Sequence, residues 1–274
     1  MRNIKELNSI NNKEKWVLIT GASSGIGYEF SKIFAQNNYN LILVARRVNL
    51  LNAIKDELTK SYKIKINLIE KDLFQINSCK EIMNEVKRLN VKVETLINNA
   101  GIGNCGLFHE ISIEDHRRVI DLNIKALTEL SHLVSNEMIK NGGGKILNVV
   151  STGAYQPGPF IAVYYASKSY VLSFTEALRV ELKPFNIIVS ALCPGNTMTE
   201  FHVNAGKGEL NNSMSAKKVA VIGYKGIIRG KKIIIPGIKN KIAIGMSIIL
   251  PRSILGNIVC KIQQKAISFK NKYI

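Results

Sequence analysis

The chain has 274 residues, 46% of them hydrophobic and 21% charged, enough apolar material for one large α/β domain. Its formal charge of +18 comes with lysines spread over the whole chain beside Asn and Ile, without a basic block, zinc-finger spacing or basic recognition helix, which argues against a specific nucleic-acid module and leaves an anionic small molecule as the partner that the charge favours. Four cysteines without a C-x-x-C pair point to a reducing, cytoplasmic setting, and four histidines without ligand spacing point away from a metal site.

The polar start, MRNIKELNSINNKEK, lacks the apolar core of a signal peptide, and residues 1–14 read as an extension ahead of the domain. KWVLIT (15–20) is a β-branched run of strand length that ends in TGASSGIG, Thr20 to Gly27. A strand feeding closely spaced glycines and small residues that open a helix lets backbone approach a pyrophosphate and aims helix N–H groups at its charge. The spacing here is G-x-x-x-G-x-G, and tight-turn glycines alone would be ambiguous. NLILVA (40–45), IKINLI (64–69) and VETLIN (93–98) repeat the strand pattern, with longer amphipathic segments between them.

Further on, IDLNIKALTEL reads as helix but carries Asn123, an intrinsically poor helix former. A buried amide holding a local kink would account for it, and so would a plain buried polar spacer. KILNVV (145–150) leads into Ser151, and thirteen residues later AVYYASKSYVLSF places Tyr164 and Lys168 four apart, on one helical face. Tyr165 points about 100° away, and Tyr165 and Tyr170 read as packing residues. IIVSAL (187–192) precedes PGNTMT (194–199), and the Gly-, Asn- and Ser-rich FHVNAGKGELNNSMS that follows has the composition of a substrate lid over 194–215, or equally of a linker. KKIIIP (231–236) reads as the last strand and closes a domain of residues 15–236. The 237–274 segment is apolar at first but interrupted by Pro251 and Arg252, so its apolar run is too short to span a bilayer. A helix pair covering the domain or a subunit contact is the favoured reading; a basic membrane-surface helix and a lipophilic substrate entrance are the alternatives.

Seven strands alternating with helix-length connections predict a Rossmann-like, doubly wound parallel sheet with helices on both faces, since right-handed crossovers pack back onto the sheet. Ligands of such a sheet lie beyond the carboxyl ends of its strands, near the switch point.

TGASSGIG, NNAG (98–101), Ser151, YYASK (164–168) and PGNTMT, in that order, resemble the classical short-chain dehydrogenase/reductases over roughly residues 15–200, in particular a broad reductase group similar to hydroxysteroid dehydrogenases and ketoacyl reductases. The resemblance implies an oxidoreductase acting on a small carbonyl or alcohol substrate. Tyr164 would be general acid for reduction and base for oxidation, Lys168 would lower its pKa and contact the nicotinamide ribose, Ser151 would orient the substrate oxygen, and Asn123 would belong to a proton relay. It implies cofactor contacts from Gly21, Ser23, Ser24, Gly25, Ile26 and Gly27, from Asp72 and Leu73 in an adenine pocket, from Asn99, Ala100 and Gly101, from Tyr164 and Lys168, and from Pro194, Gly195, Thr197 and Thr199. Asp72 could also cap a helix starting near Ile76, and Thr199 the helix after it. The second strand ends in LVARR, with Ala45 where NAD would need an acid, so Arg46 and Arg47 favour a 2′-phosphate and NADP(H) over NAD(H). The family also implies a homodimer or homotetramer. A nucleotide-binding regulatory or scaffold protein without turnover is the competing class.

Overall fold

Alternation along each strand sends apolar side chains to both sides of a sheet. In β1 (Trp16–Thr20), Val17 and Ile19 face one side, Trp16 and Leu18 the other, and all four are buried. The same holds in β2 (Asn40–Ala45), where Leu41, Leu43 and Ala45 oppose Ile42 and Val44. The computed structural model describes residues 14–201, 205 and 213–270, with side chains as far as 264. The N-terminal extension up to residue 13 and part of the expected lid, residues 202–204 and 206–212, lie outside the described residues.

With β3 (Ile66–Glu70), β4 (Val93–Asn98), β5 (Gly144–Val149), β6 (Ile187–Leu192) and the short β9 (Ile233–Ile234), these strands form one parallel sheet in the order β3-β2-β1-β4-β5-β6-β9. The seven predicted strands are therefore present, the last cut to two residues. Two further short strands, β7 (Thr197–Met198) and β8 (Met214–Ser215), pair in parallel apart from the main sheet. The order reverses between β1 and β4, so a switch-point crevice opens at their carboxyl ends.

Helices α1 (Gly25–Gln36), α2 (Val48–Ser61) and α7 (Ala216–Ile228) cover one face through Phe30, Phe34, Leu51, Leu58 and Val219. Helices α3 (Ser78–Arg88) and α5 (Leu127–Lys140) cover the other through Ile82, Val86, Leu130 and Val134. The α3 helix begins at Ser78 behind Asn77 in a left-handed conformation, so Asp72 does not cap it; Asp72 Oδ1 instead accepts the Phe74 N–H at 3.2 Å. Between α4 (Ile113–Ile120) and α5 the helix widens into a π-helical segment, Asp121–Ala126, around the fully buried Asn123. The irregularity falls at the residue expected to hold a kink, and π-helical turns are a recognised cause of helix kinks. Helix α6 (Ala162–Glu181) packs Val171 and Leu172 against Val150.

Residues 238–270 form a helix pair, α8 (Ile238–Ile249) and α9 (Arg252–Lys270), broken at Leu250 and Pro251; residues 271–274 lie outside the described residues. Helix α8 rests on the turn Thr152–Tyr155, and α9 buries Leu255, Val259 and Gln263. Gln263 donates to the Tyr165 hydroxyl at 3.1 Å. No described helix is long and apolar enough to cross a membrane.

Candidate active site

The β1–α1 turn is held open from below. Gly21 and Gly25 adopt φ of +63° and +56°, a region that disfavours side chains, and a Cβ on Gly27 would stand 2.2 Å from the Gly21 carbonyl oxygen. Asn99 fixes the turn, donating from Nδ2 to the carbonyls of Thr20 and Gly21 at 3.0 and 3.1 Å, while Thr20 Oγ1 accepts the N–H groups of Asn99 and Ala100. The NNAG segment is thus the support of the glycine turn. The first turn of α1 has no side-chain cap at Ser24, so its N–H groups open on the cleft, as a diphosphate requires.

Beyond this turn lies a cleft of about 360 Å³. Of the sequence-predicted site residues, Gly27 and Asn123 alone do not line it; Gly27 packs the turn and Asn123 sits directly behind the wall. Arg47 lies at the α2 start, yet its side chain turns back to the glycine turn and donates to Ser24 Oγ at 2.9 Å and Ser23 Oγ at 3.2 Å. Arg46 lies over the Phe74 ring, 5.8 Å from its centroid. Thr199 places its methyl group against Gly25, and its hydroxyl donates to the Thr197 carbonyl at 3.4 Å.

At the other end, Ser151, Tyr164 and Lys168 converge. Ser151 Oγ accepts the Gly153 N–H at 3.1 Å and stands close enough to the Tyr164 phenol to favour its ionised form, and the buried Lys168 Nζ lies 5.7 Å from the centre of the Tyr164 ring. Asn123 Oδ1 accepts the Ile102 N–H at 3.0 Å, while its Nδ2 donates to the Ile102 carbonyl and to Ser167 Oγ. A Cβ on Gly101 would meet both Asn123 Oδ1 and Lys168 Nζ within 3.4 Å, so the amide and the amine share one small space.

A family model described as short chain dehydrogenase matches residues 15–210. The chain belongs to the short-chain dehydrogenase family. The 11-beta-hydroxysteroid dehydrogenase-like 3 of Arabidopsis thaliana is 34% identical over 232 residues, which are 83% of this chain and 74% of that protein. An NAD-dependent glycerol dehydrogenase of Listeria innocua is 27% identical over 213 residues, 78% of this chain and 82% of its own length. A solved short-chain dehydrogenase from Sphingobium yanoikuyae in complex with NADPH matches with a TM-score of 0.78 at 30% identity, covering 87% of this chain and 97% of the other. This short-chain dehydrogenase is accordingly an oxidoreductase of alcohols and carbonyls on a dinucleotide-binding fold, and its relatives include NADPH and NAD users.

One electrostatic expectation for this short-chain dehydrogenase is corrected. Lys168 was expected to lower the Tyr164 pKa; burial instead raises the phenol above its ordinary range, with Ser151 pulling the other way. The reason is geometric: Lys168 Nζ donates to the Val149 carbonyl at 2.9 Å, and its own pKa is pushed down to about 8 by burial. Several lining residues escaped the sequence reading, Glu200, Phe201 and Tyr165 among them. Glu200 forms an ion pair with Arg47 at 2.9 Å, and that contact is the main cause that holds its carboxyl below the usual range. Phe201 packs on Tyr164 with ring centres 5.2 Å apart. Tyr165 lines the cleft while packing closely against Gly153 and Gly158, so it is more than a core residue. The acid at 200, next to the matched PGNTMT, is the one of these with a visible signal. Among the described residues no group of His, Cys, Asp and Glu could hold a metal.

Proposed function

We propose that the protein is an NADP(H)-dependent short-chain dehydrogenase/reductase that reduces a bulky lipophilic ketone to the alcohol, with Tyr164 as the proton donor. The observation that carries this reading is the convergence of Ser151, Tyr164, Lys168 and the Asn123 amide at one end of a cleft whose other end is the glycine turn. The nicotinamide, when bound, supplies the hydride. Tyr164 gives its phenolic proton to the oxygen of the substrate carbonyl as that oxygen becomes an alkoxide, and Ser151 hydrogen-bonds the same oxygen and fixes its position. Tyr164 is protonated at neutral pH, the form a proton donor needs. Lys168, buried beside the Tyr164 ring, would contact the nicotinamide ribose, and Asn123 holds the Ile102 backbone.

The NADP(H) preference rests on Arg47, whose guanidinium already spans the hydroxyls of Ser23 and Ser24, and on Ala45, where an NAD site would carry an acid. A lipophilic substrate is favoured by Phe201, Ile102 and Tyr165 around Tyr164, and by the relative whose name refers to hydroxysteroids. Assembly as a homodimer or homotetramer through the α4–α6 surface belongs to the same reading. That surface exposes Ile113, Ile120, Tyr170 and Val180.

The test is NADPH oxidation across ketosteroids, 3-ketoacyl thioesters, quinones and simple ketones, with Tyr164→Phe as control. The variant is expected to bind NADPH as the parent does and to lose turnover by about 10²–10⁴. Protein that binds NADPH yet oxidises none of it across the panel would refute the proposal.

A further inference from the structure

Lysines run through the whole chain, but acids do not. After Glu209 the sequence holds no Asp or Glu, while the last 65 residues carry thirteen Lys and Arg. Thirteen of the formal +18 therefore belong to that stretch, and compositional drift toward lysine does not account for the missing carboxylates.

Helices α8 and α9 present four of these cations, Lys239, Lys241, Arg252 and Lys261, beside apolar side chains that no described part of the domain covers. In α8, Ile244 and Ser247 turn inward, whereas Ile238, Ile242, Met246 and Ile249 form a stripe on the opposite side, between 56% and 83% exposed. At 100° per residue, Lys239 and Lys241 fall on the two flanks of that stripe. In α9, Ile254, Ile258 and Ile262 repeat every four residues and are exposed, beside the inward row of Leu255, Val259 and Gln263. Arg252 and Lys261 are exposed on the same helix. Two rows of exposed apolar side chains flanked by cations, with no carboxylate among them, call for a partner.

Charge decides which partner. A two-fold contact with a second copy through this face would set a cationic surface against itself, with no carboxylate in the segment to neutralise it. A lipid surface meets both demands, since isoleucines enter the boundary between headgroups and acyl chains while lysines meet anionic headgroups. No described helix is long and apolar enough to cross a bilayer, so these two would lie on its surface. We propose that α8 and α9 dock the protein on an anionic bilayer surface. The two helices are fastened to the segment that carries Ser151 and Tyr164, α8 through the turn 152–155 and α9 through Gln263 and Tyr165, so a docked protein holds its cleft next to the lipid from which a lipophilic ketone would come.

The experiment is flotation of the full chain with phosphatidylcholine vesicles, alone or containing roughly a third phosphatidylserine. The parent is expected to float with the anionic vesicles and to stay behind with the neutral ones. The pair Lys239→Gln and Lys241→Gln is expected to weaken partitioning about thirtyfold, from the contribution of each basic residue near an anionic surface. The triple change Ile242→Ser, Ile249→Ser and Ile258→Ser is expected to weaken it at least about tenfold. NADPH binding and melting temperature, measured on each variant, show that the fold is kept. Flotation with neither vesicle, equal flotation with both, or variants that float like the parent would overturn the proposal. So would an isoleucine variant that turns a dimer into a monomer while the parent fails to float, because the face would then belong to a second copy.

Discussion

Replacing Lys168 with Met is expected to stabilise the protein at neutral pH while removing turnover. Lys168 is 4% exposed, and burial holds its ammonium at about 8 against an ordinary 10.5. Between those two values the unfolded chain binds a proton that the folded chain does not, so stability rises with pH across the window. Below about 8 the whole cost of the buried amine is present, and above 10.5 it has vanished. The gap corresponds to about 3 kcal/mol at pH 7. Methionine fills the space without charge, but it gives up the hydrogen bond to the Val149 carbonyl and leaves that acceptor short of a donor, a loss of about 1–2 kcal/mol. The net gain is about 1–2 kcal/mol at pH 7, or roughly 2–6 °C in melting temperature for a chain of this size. Melting curves of parent and variant at pH 7 and pH 10.5 test it, since only the lost hydrogen bond remains at the higher pH and the sign of the difference reverses there. A variant less stable than the parent at pH 7, or one with the same gain at both pH values, would refute the reasoning.

Two changes at the dinucleotide end are expected to act in opposite directions. Arg47→Gln removes the guanidinium from Ser23 and Ser24 and is expected to weaken NADPH binding about tenfold or more while leaving NADH nearly unchanged, read by fluorescence titration with both cofactors. Glu200→Gln releases Arg47 from an ion pair whose partners are 47% and 53% exposed, so it is expected to tighten NADPH binding only about two- to fivefold. If Glu200→Gln tightened NADH equally, Glu200 would be competing for the shared diphosphate and not for the 2′-phosphate. Asn123→Ala strands both backbone groups of Ile102 and is expected to cost about 2–4 kcal/mol of stability, seen as a lower urea midpoint. Asn123→Asp keeps the acceptor for the Ile102 N–H but loses the donor to its carbonyl, and is expected to be destabilising as well.

Strands buried on both faces are written as unbroken β-branched runs, which is why NLILVA and IIVSAL could be read directly, and why KKIIIP, whose two lysines remain exposed, shrank to Ile233–Ile234. The cleft was legible for a related reason: a glycine turn admits few substitutes where a Cβ would strike backbone, as at Gly27. Contacts between distant segments leave no such trace. Nothing near LVARR announces that Arg47 meets Glu200, and nothing near Tyr165 announces Gln263, 98 residues away. Spacing put Lys168 one turn from Tyr164, but the balance between a cation's field and the cost of burying it depends on where the amine points, and it points at Val149. The α8 helix marks a third limit. Its apolar residues recur at helical period on two opposite sides, and periodicity reports that such rows exist without telling which is the inner one. The domain takes Ile244 and Ser247, so the Ile238, Ile242, Met246 and Ile249 row is left outside, and the choice between a covering helix and a lipid-facing one turns on that outer row and the missing carboxylates around it.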